Sequence, residues 1–371
     1  MTLTPTPMQL AIQLAKTARG FSSPNPSVGA VIVNDGATIG LGATGPVGGP
    51  HAEVVAIHMA GELARGATMY VTLEPHSFYG HTPPCTDAII TAGITTVHVA
   101  TLDPNPKVFQ QGVIQLQQAG IHVVVGEESI AAKELIAPFA HWLGTNTPLA
   151  TAKMAMSLDG KIATYTGQSQ WITGIEARQI GHQLRRSHDA ILVGIGTVLA
   201  DDPLLTTRIT GGIEATIWHP LRVIVDSRGR MPSTAAMLAP STPGHTLIVT
   251  TSNSTPEWRA AMTAAGAEVE ITPATATELV DLTALWSVLG TRGCLSVLIE
   301  GGSSVLGSAF AAKLVQRVEA FVAPLIIGGN AAIGPVGNPG FATLDTAVRL
   351  QWTGYRQVGA DIWLSGSVTD S

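Results

Sequence analysis

The chain has 371 residues, and this length favours two domains, since a domain commonly holds about 100–200 residues. Hydrophobic residues make up 45% of the sequence and charged residues only 12%, which indicates buried α/β cores and excludes a disordered chain. The formal net charge is −6 and no run of Lys or Arg occurs, so a nucleic-acid partner is disfavoured.

Two cysteines occur, Cys85 and Cys294, so a disulfide framework is excluded and the reducing cytosol is the expected compartment. The first seven residues contain neither the basic nor the apolar segment of a signal peptide. No apolar run approaches the ~18 residues that indicate a membrane span. We therefore expect a soluble, cytoplasmic protein without a membrane partner.

Hydrophobic spacing predicts alternating helices and strands in the first half of the chain. Apolar residues at i, i+3 and i+4 predict a helix over 8–19, and residues 30–33 form a strand that enters the tight turn Asn34-Asp35-Gly36. The elements predicted after this turn are helices over 50–63, 86–92, 112–118 and 129–143 and strands over 69–73, 96–100 and 121–125. This alternation predicts an α/β sheet with parallel pairs.

A domain boundary is predicted at 144–148, where the sequence Gly-Thr-Asn-Thr-Pro interrupts the pattern. We place the two domains at 1–146 and 147–371. The second contains predicted strands over 151–156, 190–193, 222–225, 246–250, 296–299, 317–322 and 361–365, with helices that include 174–187 and 304–314. It is therefore a second α/β unit.

Residues of metal-binding type lie in the first half. His51 and Glu53 stand at a predicted helix start, and His76 and Cys85 each follow a proline. A zinc deaminase needs three protein ligands that leave one position for water, and a carboxylate that moves protons without binding the metal. The pattern predicts His51, His76 and Cys85 as ligands and Glu53 as the proton carrier.

Each of these residues alone has an ordinary structural interpretation, such as a buried small apolar residue for Cys85. Their order along the chain favours the metal site. Helix starts and strand ends meet at one edge of a parallel sheet, where α/β proteins bind ligands.

The sequence at these positions resembles the bifunctional pyrimidine deaminase/reductase family of riboflavin biosynthesis. The matching segments in the first half are PNPSVGAVIV (24–33), HAE (51–53), VTLEP (71–75), GHTPPC (80–85) and DPNP (103–106). With the second half, the resemblance extends from Met8 to about residue 365. It implies an α/β protein with an N-terminal cytidine-deaminase-like α/β/α domain and a C-terminal dihydrofolate-reductase-like α/β domain.

The chain departs from the family in one loop. After Thr-Leu-Glu-Pro the family has Cys-Ser-His-x-Gly-Arg-Thr-Pro-Pro-Cys, whereas this chain has His76 for the first cysteine, Phe78 for the histidine and His81 for the arginine. Imidazole is a common zinc ligand, and exchanging a thiolate for it makes the site more cationic by one charge. The resemblance implies Asn25 and His81 as residues that contact the deaminase substrate.

The second half carries denser matches: KMAMSLDG (153–160), SQWIT (169–173), the segment 189–194, TVLADDPLLTTR (197–208), VDS (225–227) and EGG (300–302). The resemblance implies that the substrate of the reductase binds Lys153, Ser169, Arg185, Asp201, Leu205, Arg208 and Glu300. It implies that NADPH binds Ala155, Trp171, Thr197, Asp201, Ser227, Gly302, Ser303 and Ser304.

Several of these positions also suit their roles on chemical grounds. The backbone N–H groups of Gly302-Ser303-Ser304, between a strand and a helix, can hold a pyrophosphate. Arg185 and Arg208 are permanent cations that can bind a phosphate through paired hydrogen bonds. Lys153 and Glu300 lie on predicted central strands, where charges must face a cleft or form an internal salt bridge.

The leading hypothesis is a bifunctional enzyme of riboflavin biosynthesis. It hydrolytically deaminates 2,5-diamino-6-ribosylamino-4(3H)-pyrimidinone 5′-phosphate at a zinc site, then reduces the ribosyl group to a ribityl chain with NADPH. The partner is a small pyrimidine nucleotide, and we expect a homo-oligomer, either a dimer or a tetramer. His182, His188 and His219 lack ligand spacing, and the sequence assigns them no role.

Three alternatives stay open. The protein could be a reductase only, with a deaminase domain impaired by the change to His76. It could deaminate bases in nucleic acid, although the acidic balance argues against this. A regulatory sensor of a flavin precursor is a third alternative, supported only by the changed ligand position.

Overall fold

The computed structural model describes residues 4–80, 82–208 and 218–369. The chain forms two compact units, Met1–Asn146 and Thr147–Ser371. Across the described ranges, no helix has both the length and the apolar character needed to cross a lipid bilayer.

The first unit is a mixed sheet covered by helices. Its elements are α1 (Pro7–Ala18), β1 (Gly29–Asn34), β2 (Ala37–Ala43), α2 (Ala52–Ala60), β3 (Thr68–Val71), α3 (Cys85–Ala92), β4 (Thr96–Val99), α4 (Gln111–Gln118), β5 (His122–Val125) and α5 (Ser129–Thr145). The strand order is β2-β1-β3-β4-β5. β1 is antiparallel to β2 and β3, whereas β3, β4 and β5 are parallel to one another.

Residues that alternate along β1 enter two different cores, because successive side chains of a strand point to opposite faces. Ala30 and Ile32 pack in the core that contains Ala56 of α2. Val31 packs in the core that contains Met8 of α1. Helices therefore cover both faces of the sheet, which is the predicted α/β/α layering.

The helix starts of this unit have identifiable sequence causes. Thr6 caps α1 through a capping box with Gln9, and Pro7 occupies the first turn, where its missing N–H costs nothing. α3 begins directly after Pro84 and ends at Gly93, whose φ of 74° is the left-handed conformation that glycine adopts without strain. These boundaries place Cys85 at the first residue of α3.

The second unit is a larger sheet, again covered on both faces. Its elements are β6 (Leu149–Ser157), α6 (Ile175–Arg186), β7 (Ala190–Gly194), α7 (Ile195–Asp201), β8 (Leu221–Val225), β9 (Thr246–Thr250), α8 (Pro256–Ala264), β10 (Glu268–Ile271), α9 (Leu282–Thr291), β11 (Ser296–Gly301), α10 (Ser303–Ala311), β12 (Val315–Ala323), β13 (Arg349–Val358) and β14 (Asp361–Thr369). The strand order is β10-β9-β8-β7-β11-β6-β12-β14-β13. The strands from β10 to β12 in this order are parallel, and β14 and β13 complete the sheet as an antiparallel hairpin.

The centre of this sheet is apolar on both faces. On β7, Ala190 and Leu192 pack in the core that includes Trp286 of α9, and Ile191 and Val193 pack in the core on the opposite face. A strand buried on both faces is typical of parallel sheets, and it explains why β7 is a continuous apolar run in the sequence. The carboxyl ends of β7, β8 and β11 therefore meet at one edge, where ligand sites form in such folds.

Candidate active sites

The three predicted zinc ligands converge in the first unit. His51 is the N-cap of α2, Cys85 is the first residue of α3, and His76 lies in the loop after β3. One potential ligand atom from each of the three lies within 4.8 Å of the other two. The Cys85 Sγ is 3.4 Å from Nδ1 of His51, and the centroids of the two imidazole rings are 4.6 Å apart. Ligand atoms around a tetrahedral zinc are separated by roughly 3.3–3.8 Å, so this donor set fits the metal.

The two histidines are in the neutral state that a metal requires, whereas the thiol must lose its proton when the metal binds. Burial, and then the neighbouring His76, lowers the pKa of His51 to about 4, so its ring is neutral and can bind metal. Burial also lowers the pKa of His76. Burial and the adjacent Glu53 raise the pKa of the Cys85 thiol, so the thiolate forms only when a bound cation stabilises it.

Glu53 lies beside the ligands without being one of them. It is the second residue of α2, 4% exposed, and its carboxyl contacts the Cys85 thiol. Burial raises the pKa of this carboxyl above its ordinary value. The arrangement leaves a carboxyl group next to the metal position, as proton transfer to and from a bound water requires.

A second buried carboxylate holds the loop that carries His76. The Glu74 side chain is 3% exposed and accepts four backbone N–H groups. One oxygen accepts from Asp103 at 3.2 Å and Gln110 at 3.0 Å, and the other from Gly112 at 3.0 Å and Val113 at 3.2 Å. The Glu74 carboxylate therefore joins the chain just before His76 to the start of α4, where the helix dipole also favours negative charge.

The rest of the changed loop also lies near the ligands. The Phe78 ring meets the His76 ring edge-on, with the centroids 5.7 Å apart, and the Thr82 hydroxyl is 3.4 Å from Nε2 of His51. Asn25 lies in a turn in which its N–H donates to the carbonyl of Ser22 at 2.9 Å. His81 lies outside the described residues, and the substrate contacts assigned to Asn25 and His81 stay predictions.

In the second unit, three of the charged residues predicted to bind substrate lie together. Arg185 donates from Nε to one oxygen of Glu300 at 2.6 Å and from a terminal nitrogen to the other oxygen at 2.8 Å. The Lys153 ammonium is 5.8 Å from the centroid of the Phe321 ring. The sequence analysis left open an internal salt bridge for Lys153 and Glu300. Glu300 does form an internal salt bridge, and its partner is Arg185.

Arg185 and Lys153 both act on the carboxyl group of Glu300. Burial alone would raise the pKa of Glu300, but Arg185 and Lys153 outweigh it and hold that pKa at about 2. Burial lowers the pKa of Lys153, Glu300 opposes this effect, and Arg185 adds to it. Glu300 thus lies close to two basic side chains, and basic side chains of this kind attract anionic groups of a ligand.

A cavity of about 410 Å³ lies at the carboxyl ends of β7, β8 and β11. Of the predicted cofactor residues, Ser227, Gly302 and Ser304 line it, together with Gly194. Gly302 has φ 88° and directly precedes α10, so backbone N–H groups at the start of that helix border the cavity. A side chain at Gly194 would lie 2.8 Å from Val305. This glycine-lined, helix-capped cavity fits the pyrophosphate of a dinucleotide such as NADPH.

The remaining predicted reductase residues lie on loops and elements along the sheet. Ser169 donates to the carboxylate of Asp201 at 3.1 Å, and the Arg178 guanidinium lies 4.6 Å over the Trp171 ring. Thr197 lies against the backbone of the 301–302 turn. Leu205 is buried and has a φ of 51°. Ala155 is partly buried and packs against the cluster that contains Phe321, and Ser303 begins α10.

Sequence reasoning assigned no role to three of the four histidines of the second unit, His182, His188 and His219. His182 Nδ1 accepts the N–H of Arg208, and His219 Nδ1 accepts the N–H of Thr207, each at 3.3 Å. His188 contacts the hydroxyl of Thr151 at 3.0 Å. Ligand spacing could not have identified them, because each contacts a segment distant in sequence. The position of His182 three residues before Arg185, on the same helix face, was the one available signal.

Comparisons with known proteins find a matching family model for each of the two units. The family model "Cytidine and deoxycytidylate deaminase zinc-binding region" matches residues 1–101, and the model "RibD C-terminal domain" matches residues 148–364. Riboflavin biosynthesis protein RibD of Bacillus amyloliquefaciens is 42% identical over 363 residues, which is 98% of this chain and 96% of the relative.

Two solved structures show the same architecture over the full length. Acinetobacter baumannii RibD has a TM-score of 0.83 at 37% identity, covering 98% of both chains. A diaminohydroxyphosphoribosylaminopyrimidine deaminase/5-amino-6-(5-phosphoribosylamino)uracil reductase from Thermotoga maritima has a TM-score of 0.83 at 32% identity, with the same coverage. The chain therefore belongs to the RibD family of riboflavin biosynthesis proteins.

Proposed function

We propose that this chain carries out two consecutive reactions of riboflavin biosynthesis at two separate sites. The first unit hydrolyses the amine of 2,5-diamino-6-ribosylamino-4(3H)-pyrimidinone 5′-phosphate and releases ammonia. The second unit reduces the ribosyl group of the deaminated product to a ribityl chain with NADPH. The observation that carries the proposal is the convergence of His51, His76 and Cys85 within 4.8 Å, in a chain whose other unit has a glycine-lined cavity at the start of α10.

In the deaminase site, His51, His76 and Cys85 would hold zinc, which supplies Lewis-acid activation of a water molecule when bound. Glu53 takes a proton from this water and returns one to the leaving amine. The water oxygen forms a bond to the amine-bearing carbon, the C–N bond breaks, and the protonated amine leaves as ammonia. The second proton of the water is transferred to the pyrimidine ring as the carbonyl forms. Thr82 and Glu74 keep the ligands in place through their contacts with His51 and with the loop before His76.

In the reductase site, NADPH would lie along the cavity at the start of α10 and supply a hydride when bound. Ser227, Gly302 and Ser304 bind its polar groups. Arg208 and the cluster of Lys153 and Arg185 provide positive charge for the phosphate and hydroxyl groups of the substrate, and Glu300 fixes the orientation of Arg185. No protein nucleophile is needed, because the side chains bind and orient the reactants.

The two reactions are separable by assay. Purified protein should release ammonia from the diaminopyrimidine without NADPH, and should oxidise NADPH only after the deaminated product has formed. Supplying the deaminated product directly should bypass the first site. NADPH oxidation with the deaminated product but no ammonia from the first substrate would reject the deaminase half and leave a reductase.

This reductase-only protein is the second candidate, and the observation that favours it is the triple change at positions 76, 78 and 81. A buried Glu53 beside the ligands weighs against it, because a site without function need not retain a costly buried carboxyl group. A nucleic-acid base deaminase is disfavoured by the net charge of −6. Filter binding with RNA at ~0.15 M salt would test that alternative.

The compartment and the assembly belong to the same proposal. Cys85 and Cys294 are free and buried, as is typical of a protein in the reducing cytoplasm.

β13 is an edge strand with Trp352 58% exposed and Tyr355 83% exposed, and such an edge can pair with a second copy. Light scattering should give the mass of a homodimer or homotetramer, whereas a monomer mass would refute the assembly.

A further inference from the structure

The segment that carries Arg208 follows α7 and has no regular secondary structure, so its position depends on contacts from other elements. Two consecutive backbone N–H groups of this segment donate to histidine rings. The N–H of Thr207 donates to Nδ1 of His219, and the N–H of Arg208 donates to Nδ1 of His182, both at 3.3 Å. We call His182 and His219 the histidine clamp.

The two rings come from different elements of the unit. His182 lies on α6, and His219 lies two residues before β8 begins at Leu221. The Thr207–Arg208 backbone is therefore held on one side by a helix and on the other by the loop that leads into β8. Arg208 itself is exposed, so the clamp fixes its main chain while leaving the guanidinium accessible.

α6 presents a polar stripe toward the reductase site. Arg178, His182 and Arg185 are spaced i, i+4 and i+7, which places them on one face of the helix. Arg178 lies over the Trp171 ring, and Arg185 forms the paired hydrogen bonds with Glu300. Two members of the stripe thus contact residues predicted to bind cofactor or substrate, and His182 occupies the position between them.

We propose that His182 and His219 are positioning residues of the reductase, which hold the backbone at Thr207–Arg208 so that the Arg208 guanidinium meets the substrate phosphate. This inference rests on the proposed role of Arg208 as a phosphate-binding residue. His182 acts as a hydrogen-bond acceptor, which requires a neutral ring with a free lone pair on Nδ1. Burial, and then Arg185 and Arg208, lower the pKa of His182 to about 4, so the ring stays neutral in the cell.

The matched variants are His182→Ala, His182→Asn and His182→Gln in the full-length protein. An asparagine amide oxygen can occupy the position of Nδ1, whereas a glutamine amide reaches the position of Nε2. His182→Ala and His182→Gln should raise KM for 5-amino-6-(ribosylamino)uracil 5′-phosphate by about five- to tenfold, the effect of one hydrogen bond. His182→Asn should have the KM of the parent protein for this substrate. In all three variants, kcat and the KM for NADPH should equal those of the parent protein. His219→Ala and His219→Asn should behave in the same way.

His245, an exposed histidine of the same unit, is the control, and His245→Ala should change neither KM. The double variant His182→Ala/Arg208→Ala should have the KM of Arg208→Ala alone, because the histidine acts through the arginine. Effects that add, or an asparagine variant no better than alanine, would overturn the clamp. If Arg208→Ala alone left KM unchanged, the proposed phosphate role of Arg208 would fail first, and the clamp would fail with it. Far-UV circular dichroism of each variant checks that the fold is retained.

Discussion

Replacing Glu74 by glutamine tests how the ligand loop is held in the deaminase unit. The carboxylate accepts two backbone N–H groups on each oxygen, at 3.0–3.2 Å, and is 3% exposed. Glutamine keeps one acceptor oxygen and turns an NH₂ group toward the other two N–H donors. Each hydrogen bond to a charged acceptor contributes about 1.5–3 kcal/mol, so losing two should lower the free energy of unfolding by roughly 3–6 kcal/mol.

Urea unfolding gives the global change, and hydrogen exchange gives the local one. The amides of Gln110, Gly112 and Val113 should lose protection in Glu74→Gln by at least about 100-fold, since 1.4 kcal/mol corresponds to a factor of ten. Glu62→Gln is the control, because Glu62 is an exposed acid of the same unit, and it should cost less than about 0.5 kcal/mol. A Glu74→Gln protein destabilised by less than about 1 kcal/mol would refute the reasoning.

Three further predictions concern charged residues. Arg208→Ala should raise KM for the reductase substrate by the factor that corresponds to the ~1.5–3 kcal/mol of a charged hydrogen bond, while kcat changes little. An unchanged KM in steady-state assays would refute its role. Glu53→Gln should abolish ammonia release while zinc content and NADPH oxidation are retained; loss of zinc would mean that Glu53 is a ligand. The pKa of Glu300 falls from 4.5 to about 2 on folding, so its ionised form stabilises the protein above pH 4.5, and this contribution is lost as pH falls toward 2. The stability difference between the parent and Glu300→Gln, from urea unfolding, should therefore shrink as pH is lowered over that range, and a constant difference would contradict the Arg185–Glu300 pair.

Local sequence signals predicted most of the fold. The strand at Thr246–Thr250 was predicted at its observed boundaries, and helices such as α6 and α10 were predicted within about three residues, because caps, apolar runs and periodicity act locally. β13 was missed because nearly all of its residues are exposed, so no apolar alternation marks it. α7 was missed because its seven residues follow β7 directly, without an intervening loop.

The candidate sites likewise contain some residues that the sequence could identify and some contacts that it could not. His51, Glu53, His76 and Cys85 could be predicted because residue type and position at a helix start or strand end restrict them to one edge. The partner of Glu300 could not, since Arg185 lies 115 positions away in the sequence and only the fold brings the two together. The histidine contacts to the 207–208 segment were missed for the same reason, because an imidazole that accepts a backbone N–H leaves no sequence pattern.

Zinc content measured beside ammonia release tests the central claim most directly, because it asks whether His76 serves as the third ligand. The parent protein should contain one zinc per chain and release ammonia, His76→Ala should lose both, and His76→Cys should retain zinc with the thiolate of the family pattern. His81→Ala is the control for the neighbouring histidine and should keep its zinc. Zinc that survives in His76→Ala but is lost in His81→Ala, or a parent protein without zinc, would contradict the account.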